Sequence, residues 1–247
     1  MRRRILLAAG CGTLLAPRLA RSEATEVDLL LVLAADVSQS MQNRDLRLQR
    51  EGYIAALRDR EVMEAAASGP IGAIAVAYVE WSGVDDQRIL VPWVRIGDVG
   101  DAARVALLLE EAPLRSGNWT SISMALAMSR RLIAAAPFQA QRRVVDVSGD
   151  GENNHGPPAE QERDLTVAEG IVVNGLPILR PSARLAGTGL PGETALEEHY
   201  RTLVTGGARA FVLPAQGFES FADAIRRKLV MEIADLAPSG PAKPSAA

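Results

Sequence analysis

The chain has 247 residues, of which 48% are apolar but only 4% aromatic, and its formal net charge at neutral pH is −3. This length and apolar content suit one sizeable α/β domain with an aliphatic core, and the 23% of charged residues is ordinary for a soluble globular protein. Because the chain beyond residue 24 is acidic and has no basic cluster, we expect no nucleic-acid partner.

Residues 1–24 have the pattern of an export signal. Three arginines at positions 2–4 precede an apolar stretch from Ile5 to Ala16, and Ser22-Glu23-Ala24 provides small residues for cleavage. The apolar stretch is too short to span a bilayer as a permanent helix. We predict a cleaved signal peptide and an exported, periplasmic mature protein without a transmembrane segment; a buried N-terminal helix is the alternative. Because the leader carries five Arg and one Glu, cleavage would change the net charge from −3 to −7.

Cys11 is the only cysteine, and it lies within this leader. The mature domain is therefore expected to have neither disulfides nor thiol chemistry. Leu7-Ala8-Ala9-Gly10-Cys11 also resembles a lipoprotein cleavage site, and a lipid anchor on Cys11 is the less favoured alternative because the apolar segment before it is short.

Hydrophobic patterns predict strands that alternate with helices. The predicted strands are Val27–Ala35, Ile71–Trp81, Arg88–Ile96, Arg142–Ser148, Ile171–Asn174 and Ala208–Leu213. The predicted helices are Asp45–Ala67, Asp98–Glu110, Thr120–Ala136, Pro158–Glu169, Thr194–Val204 and Phe218–Leu236. This alternation predicts one α/β domain over residues 25–236, with a doubly wound, mostly parallel six-stranded sheet and helices on both faces.

Two local features refine this fold prediction. The link between the second and third strands is short, which predicts a hairpin, and Pro92 in the third strand suits an antiparallel edge position. The Pro- and Ala-rich residues 237–247 are predicted to be a disordered tail.

Oxygen-bearing side chains follow the ends of two predicted strands and begin one predicted helix. Asp36, Ser38 and Ser40 follow the first strand, Asp150 follows the fourth, and Thr120 begins a helix. In doubly wound sheets ligands bind beyond the carboxyl ends of strands, where the strand order reverses, so these groups would converge if the two strands are neighbours. Two carboxylates and three hydroxyls are ligands for a hard cation, Mg²⁺ with Mn²⁺ or Ca²⁺ as alternatives.

Asp36-Val37-Ser38-Gln39-Ser40 resembles the D-x-S-x-S signature of the von Willebrand factor A domain. Thr120 and Asp150 match the other two elements of that family's metal-ion-dependent adhesion site (MIDAS). The resemblance implies that Ser38, Ser40 and Thr120 bind the metal largely directly, that Asp36 and Asp150 act mainly through water, and that a partner's carboxylate completes the coordination. The segments "DVSGDGENNHG", "GIVVNGLPIL" and "GGARAFVLPA" resemble an uncharacterised subgroup of exported bacterial proteins.

Some positions near these motifs depart from the family pattern or have two interpretations. Trp119 stands where the family usually has a small residue, and Gly149 replaces a hydroxyl residue. Trp119, Glu152, Asn153 and Asn154 are candidates for a rim that contacts a partner; the alternative for Glu152 to Asn154 is a polar turn.

The sequence lacks the G-x-S-x-G nucleophile elbow and the glycine-rich P-loop with lysine, and we find no general base beyond the candidate ligands. We therefore predict no enzymatic activity. Our prediction is an exported adhesion-type module that recognises Asp or Glu of a protein partner through a bound cation. The alternatives are a metal-stabilised scaffold that binds through another face and, less favoured, a metal-dependent hydrolase.

Overall fold

The computed structural model describes residues 25–180 and 192–235. The predicted signal peptide, Cys11 and the predicted tail lie outside these described residues. The strands are β1 Thr25–Glu26, β2 Leu29–Asp36, β3 Ile74–Trp81, β4 Gln87–Ile96, β5 Phe138–Gln139, β6 Arg142–Gly149 and β7 Val172–Pro177. The helices are α1 Asn43–Leu57, α2 Arg60–Ala67, α3 Val99–Glu111, α4 Ile122–Ala134, α5 Ala159–Ala168, α6 Gly192–His199 and α7 Phe221–Ile233. A π-helical turn, Tyr200–Val204, continues α6, and a 3₁₀ turn, Phe218–Ser220, leads into α7.

The main sheet has five strands in the order β4-β3-β2-β6-β7, and β1 pairs with β5 separately. Strand β2 is parallel to both β3 and β6, β6 is parallel to β7, and β4 is the antiparallel edge strand beside β3. The doubly wound, mostly parallel fold and the hairpin that contains Pro92 are therefore confirmed. Because β2 and β6 are neighbours, the side chains that follow them meet at one edge of the sheet.

The central strand β2 is buried on both faces, which explains its continuous apolar sequence. Leu29, Leu31 and Leu33 contribute to the core beneath α1, α2, α3 and α7, whereas Leu30 and Val32 contribute to the core beneath α4 and α5. This alternation is the period of two that a strand imposes on its side chains. The helices thus cover both faces, as predicted.

The predicted sixth strand, residues 208–213, is not a strand. The segment follows β7 only through isolated bridges, Gly175 with Val212 and Ile178 with Ala215. Gly207 and Arg209 have positive φ values of 98° and 64°, and this left-handed backbone cannot continue an extended ladder. The sheet in the described residues therefore has five strands rather than six.

The predicted helix Asp45–Ala67 is two helices. Asp59 has an extended backbone between α1 and α2, and its carboxylate accepts hydrogen bonds from the amides of Glu61 (2.8 Å) and Val62 (3.4 Å). Aspartate is among the preferred N-cap residues, so Asp59 begins a new helix here. None of the helices in the described part of the chain is long and apolar enough to cross a membrane.

Candidate metal centre

The carboxyl ends of β2 and β6 bring the predicted ligands together. Asp36 is the last residue of β2, and Asp150 comes directly after the last residue of β6. The Ser40 hydroxyl donates to Oδ1 of Asp150 (2.6 Å), and the hydroxyls of Ser38 and Ser40 are 2.9 Å apart. The Ser40–Asp150 bond joins residues 110 positions apart in the sequence, as the prediction of convergence requires.

Asp36 lies at the base of this site and is fully buried. Its Oδ1 accepts a hydrogen bond from the amide of Ser38 (2.7 Å), whereas Oδ2 is buried without a hydrogen-bond partner. Burial raises the pKa of Asp36 to about 8, and the nearby carboxylate of Asp150 acts in the same direction. A buried carboxylate oxygen without a partner is costly, so a cation or a cation-bound water would stabilise it.

Thr120 lies beside the same loops. Its segment is tied to the β2–α1 loop, where the amide of Gly117 donates to the carbonyl of Val37 (2.8 Å). A Cβ at Gly151, the residue after Asp150, would lie 3.5 Å from the Thr120 hydroxyl. The structure therefore places all five predicted ligand residues at the end of β2 and on three adjoining loops.

Helix α4 begins at Ile122 rather than at Thr120, and another loop caps it. Oδ1 of Asn153 accepts from the Ser123 amide (3.1 Å), and Oδ1 of Asn154 accepts from the Thr120 amide (2.9 Å). Asn153 and Asn154 thus hold the Thr120 loop against the Asp150 loop. This arrangement matches the polar-turn interpretation for these two residues, because their side chains are used within the chain.

The rest of the predicted rim is accessible. Trp119 is 55% exposed, and its indole packs at a tilt against His155 with ring centroids 5.5 Å apart. Its φ of 67° is the left-handed conformation that side chains other than glycine rarely adopt, and such strain is often found at functional sites. Glu152 is half-buried, with a carboxylate oxygen 3.9 Å from Nδ1 of His199.

Gly149 departs from the family pattern for a steric reason. A Cβ at this position would lie 2.8 Å from the Tyr200 hydroxyl and 2.9 Å from Oδ2 of Asp36, which is too close for either neighbour. The Tyr200 hydroxyl, like Oδ2 of Asp36, is buried without a hydrogen-bond partner. Burial, followed by the charge of Asp36, holds the pKa of Tyr200 well above its usual range. Tyr200 thus fills the space beneath the site that a side chain at position 149 would need.

Arg180 is a site residue that sequence reasoning missed. Its Nη2 lies 2.5 Å from Oδ2 of Asp150, donates to the carbonyl of Ser40 (3.0 Å) and donates to Oδ2 of Asp45 (3.0 Å). A signal was present, because Arg180 ends the apolar run after β7 just as Asp36 and Asp150 follow β2 and β6. The site therefore contains one cationic side chain as well as two carboxylates.

The chemistry of this donor set fits a hard divalent cation. The two carboxylates and three hydroxyls are all oxygen donors, and Oδ2 of the buried Asp36 still lacks a hydrogen-bond partner. Across the described ranges, no group of three or more His, Cys, Asp and Glu side chains is arranged to hold a metal ion. A metal at this edge would therefore depend on Ser38, Ser40 and Thr120 for most of its protein ligands.

A family model described as "Protein of unknown function (DUF1194)" matches residues 26–237. The chain belongs to this family. No curated protein sequence matches this DUF1194 chain. Solved structures do match the chain, and they show that its fold is that of the von Willebrand factor A domain, as the sequence resemblance implied.

Three of these structures illustrate the similarity. Proximal thread matrix protein 1 from the mussel byssus is 15% identical with a TM-score of 0.58, over 84% of this chain and 47% of that one. BatB from Bacteroides thetaiotaomicron is 17% identical with a TM-score of 0.57, over 85% of this chain and 100% of that one. A von Willebrand factor type A protein from Catenulispora acidiphila is 14% identical with a TM-score of 0.58, over 84% and 43%. The DUF1194 chain thus spans about half the length of the mussel protein.

Proposed function

We propose that this DUF1194 protein is an exported, metal-dependent protein-binding module. Ser38, Ser40 and Thr120 bind a divalent cation, Mg²⁺ in our proposal, with Asp36 and Asp150 assisting. The cation in turn binds an Asp or Glu side chain of a protein partner. The observation that supports this most is the meeting of these oxygen groups at the carboxyl edge of β2 and β6, around a buried Oδ2 of Asp36 that lacks a hydrogen bond.

The charges of the site favour a cation that stays attractive to a further anion. Asp150 lies close enough to Asp36 for its charge to help raise the pKa of Asp36, and a bound cation relieves this repulsion. The three hydroxyls are neutral, so in direct contact they leave the cation more attractive to an anion than carboxylate ligands would. A carboxylate from another molecule then supplies both charge and an oxygen ligand.

Two further observations support the adhesion-type function. The mussel byssus protein has been solved with a zinc-occupied MIDAS motif, and the pilus adhesin SpaC from Lactobacillus rhamnosus GG has the same fold at 15% identity and a TM-score of 0.56. In this chain the exposed Trp119 lies directly before Thr120 and offers an apolar surface beside the acidic contact. Aromatic residues of this kind are enriched at protein–protein interfaces. Export is supported by the leader pattern of residues 1–24.

The partner proposal is tested by affinity capture. The purified protein is immobilised and exposed to an extract of periplasmic proteins in Mg²⁺ or in chelator. We expect a captured partner that binds in Mg²⁺, is released by chelator and is not captured by the Ser38→Ala/Ser40→Ala variant. The matched control is Ser116→Ala, an exposed serine in the neighbouring loop, which should capture the partner normally. Purified partner should then reproduce each result.

Other outcomes distinguish the remaining functions. A partner that stays bound in chelator would contradict our proposal and favour a scaffold that binds through another face. Turnover of a phosphoester or peptide panel that is lost on chelation would favour a metal-dependent hydrolase.

A further inference from the structure

Arg180 connects three parts of the site through one guanidinium. Its Nη2 contacts the Asp150 carboxylate at 2.5 Å, the Ser40 carbonyl at 3.0 Å and the Asp45 carboxylate at 3.0 Å. The guanidinium carbon also lies 5.3 Å from the centroid of the Phe218 ring, within the range of a cation–π contact. The side chain is one-third exposed, so it has an open route to solvent.

The contact with Asp150 places Arg180 in conflict with a bound metal. Oδ1 of Asp150 accepts from the Ser40 hydroxyl, and Oδ2 faces the guanidinium. Both oxygens of Asp150 are therefore engaged, and one of them by a full positive charge. A divalent cation held by Ser38 and Ser40 would need Asp150 for a bound water and would repel the guanidinium at the same time.

The contacts of Arg180 with its other neighbours do not require Asp150. Asp45 is the acidic partner that remains when Asp150 is taken by a metal, and the Phe218 ring offers an uncharged surface next to it. Arg180 can thus leave Asp150 without losing every favourable contact. Asp150 thus has two alternative partners, the guanidinium that contacts it in the structure and a metal with its bound water.

We propose that Arg180 is a tethered competitor of the divalent cation for Asp150. In the metal-free protein its guanidinium neutralises Asp150 and holds the β2–α1 and β6–α5 loops together. Metal binding displaces it, so Arg180 lowers the metal affinity of the site. This inference rests on the proposed metal site and adds the residue that regulates it.

Replacement of Arg180 by glutamine is expected to tighten Mg²⁺ and Mn²⁺ binding by about 10-fold, within the usual range of coupling between two binding events. Isothermal titration calorimetry of the full chain measures the dissociation constants. The matched control is Arg58→Gln, which removes the same charge from the far end of α1, where Arg58 pairs with Glu110 at 2.7 Å. Arg58→Gln should leave the metal affinity unchanged within about twofold.

A second variant separates competition from loop positioning. Arg180→Lys keeps the charge but loses the planar fork that reaches several acceptors and packs over Phe218, so its metal affinity should lie between those of the wild type and Arg180→Gln. Circular dichroism and chemical unfolding of each variant confirm folding. Weaker metal binding by folded Arg180→Gln would overturn the inference, because Arg180 would then position the metal ligands rather than compete with the metal.

Nuclear magnetic resonance of the arginine side chains provides a direct readout. The ¹⁵Nε–H signal of Arg180, assigned by its absence in Arg180→Gln, should shift as Mg²⁺ is added and should follow the calorimetric isotherm. A signal that does not move while metal binds would contradict the displacement of the Arg180 guanidinium from Asp150 by the metal.

The failure of this inference can be distinguished from the failure of the proposed function. If wild type and Arg180→Gln bind metal equally well, only the role of Arg180 is wrong. If neither protein gives a binding heat, the proposed metal site is wrong, and the proposed role of Arg180 is then wrong as well.

Discussion

Replacement of Lys228 by methionine is expected to lower the free energy of unfolding by about 3–5 kcal/mol, the usual cost of removing one partner from a buried ion pair. Lys228 in α7 is fully buried, and its Nζ forms ion pairs with Asp146 of β6 and with Glu232 one helical turn later. The Asn174 amide also donates to Glu232 at 2.9 Å. Methionine would fill similar space but would leave two carboxylates facing one another without a cation.

Urea unfolding of the two proteins measures this difference. Arg227→Met is the matched control, because Arg227 is the exposed neighbour on the same helix and its loss should cost no more than about 0.5 kcal/mol. Adding Asp146→Asn and Glu232→Gln to Lys228→Met should recover part of the lost stability, since it removes the unpaired charges. A loss below about 1 kcal/mol for Lys228→Met would contradict the role of the lysine as the central cation of this cluster.

The pH dependence of stability provides a second arm of the same test. Burial, together with the charge of Asp146, raises the pKa of Glu232 to about 7. A carboxyl group with a raised pKa binds its proton more tightly in the folded protein, so its contribution to stability is present below about pH 4.5 and is lost as the pH rises through 7. Between about pH 4.5 and 7 the wild type should therefore lose about 3 kcal/mol of unfolding free energy through Glu232, and Glu232→Gln should not show this loss. An identical slope in wild type and Glu232→Gln would contradict the assignment.

The sequence predicted those features of the fold that depend on local pattern and on general rules of α/β sheets. The apolar run before Asp36 indicated a strand buried on both faces, and the alternation of elements indicated a doubly wound sheet in which Asp36 and Asp150 meet if β2 and β6 are neighbours. The structure shows that β2 and β6 are neighbours. The convergence of Asp36 and Asp150 then followed, because parallel strands end at the same edge. The single helix over Asp45–Ala67 was wrong because the helical pattern continues through Asp59, whose capping bonds depend on a local change of backbone that periodicity does not reveal.

Side chains whose roles depend on tertiary contacts were missed. Lys228 directly precedes Leu229 of the apolar stripe, and a lysine beside such a stripe usually extends to water. The hint was Asp146, a carboxylate in the middle of an otherwise apolar strand, which requires a buried cation from another element. Tyr200 lies in the π-helical turn that packs against Gly149 and Gly175, and no local pattern assigns it to the site. For Arg180 the only hint was its place at the end of the apolar run after β7, and its contacts with Ser40 and Asp150 depend on the tertiary fold.

Saturating Mg²⁺ is expected to stabilise the protein, by about 2.7 kcal/mol at a free concentration one hundred times the dissociation constant. The gain follows from mass action, because the three loops form the site only in the folded chain. Chemical unfolding in Mg²⁺ and in chelator, at constant ionic strength, measures the difference. Mn²⁺ should act in the same way.

Asp36→Asn should abolish this stabilisation and, without metal, should make the protein more stable than the wild type. The asparagine keeps an oxygen for the Ser38 amide but removes the buried carboxyl group, whose pKa, raised from 3.8 to about 8, costs stability at neutral pH. Stability and metal binding would thus change in opposite directions at one residue, as expected where a strained site serves function. Glu64→Gln, an exposed carboxylate on α2, is the control and should respond to Mg²⁺ as the wild type does. Equal stabilisation of Asp36→Asn by Mg²⁺ would show that the ion binds elsewhere, whereas a less stable metal-free variant would show that the Asp36 charge is satisfied by the fold itself.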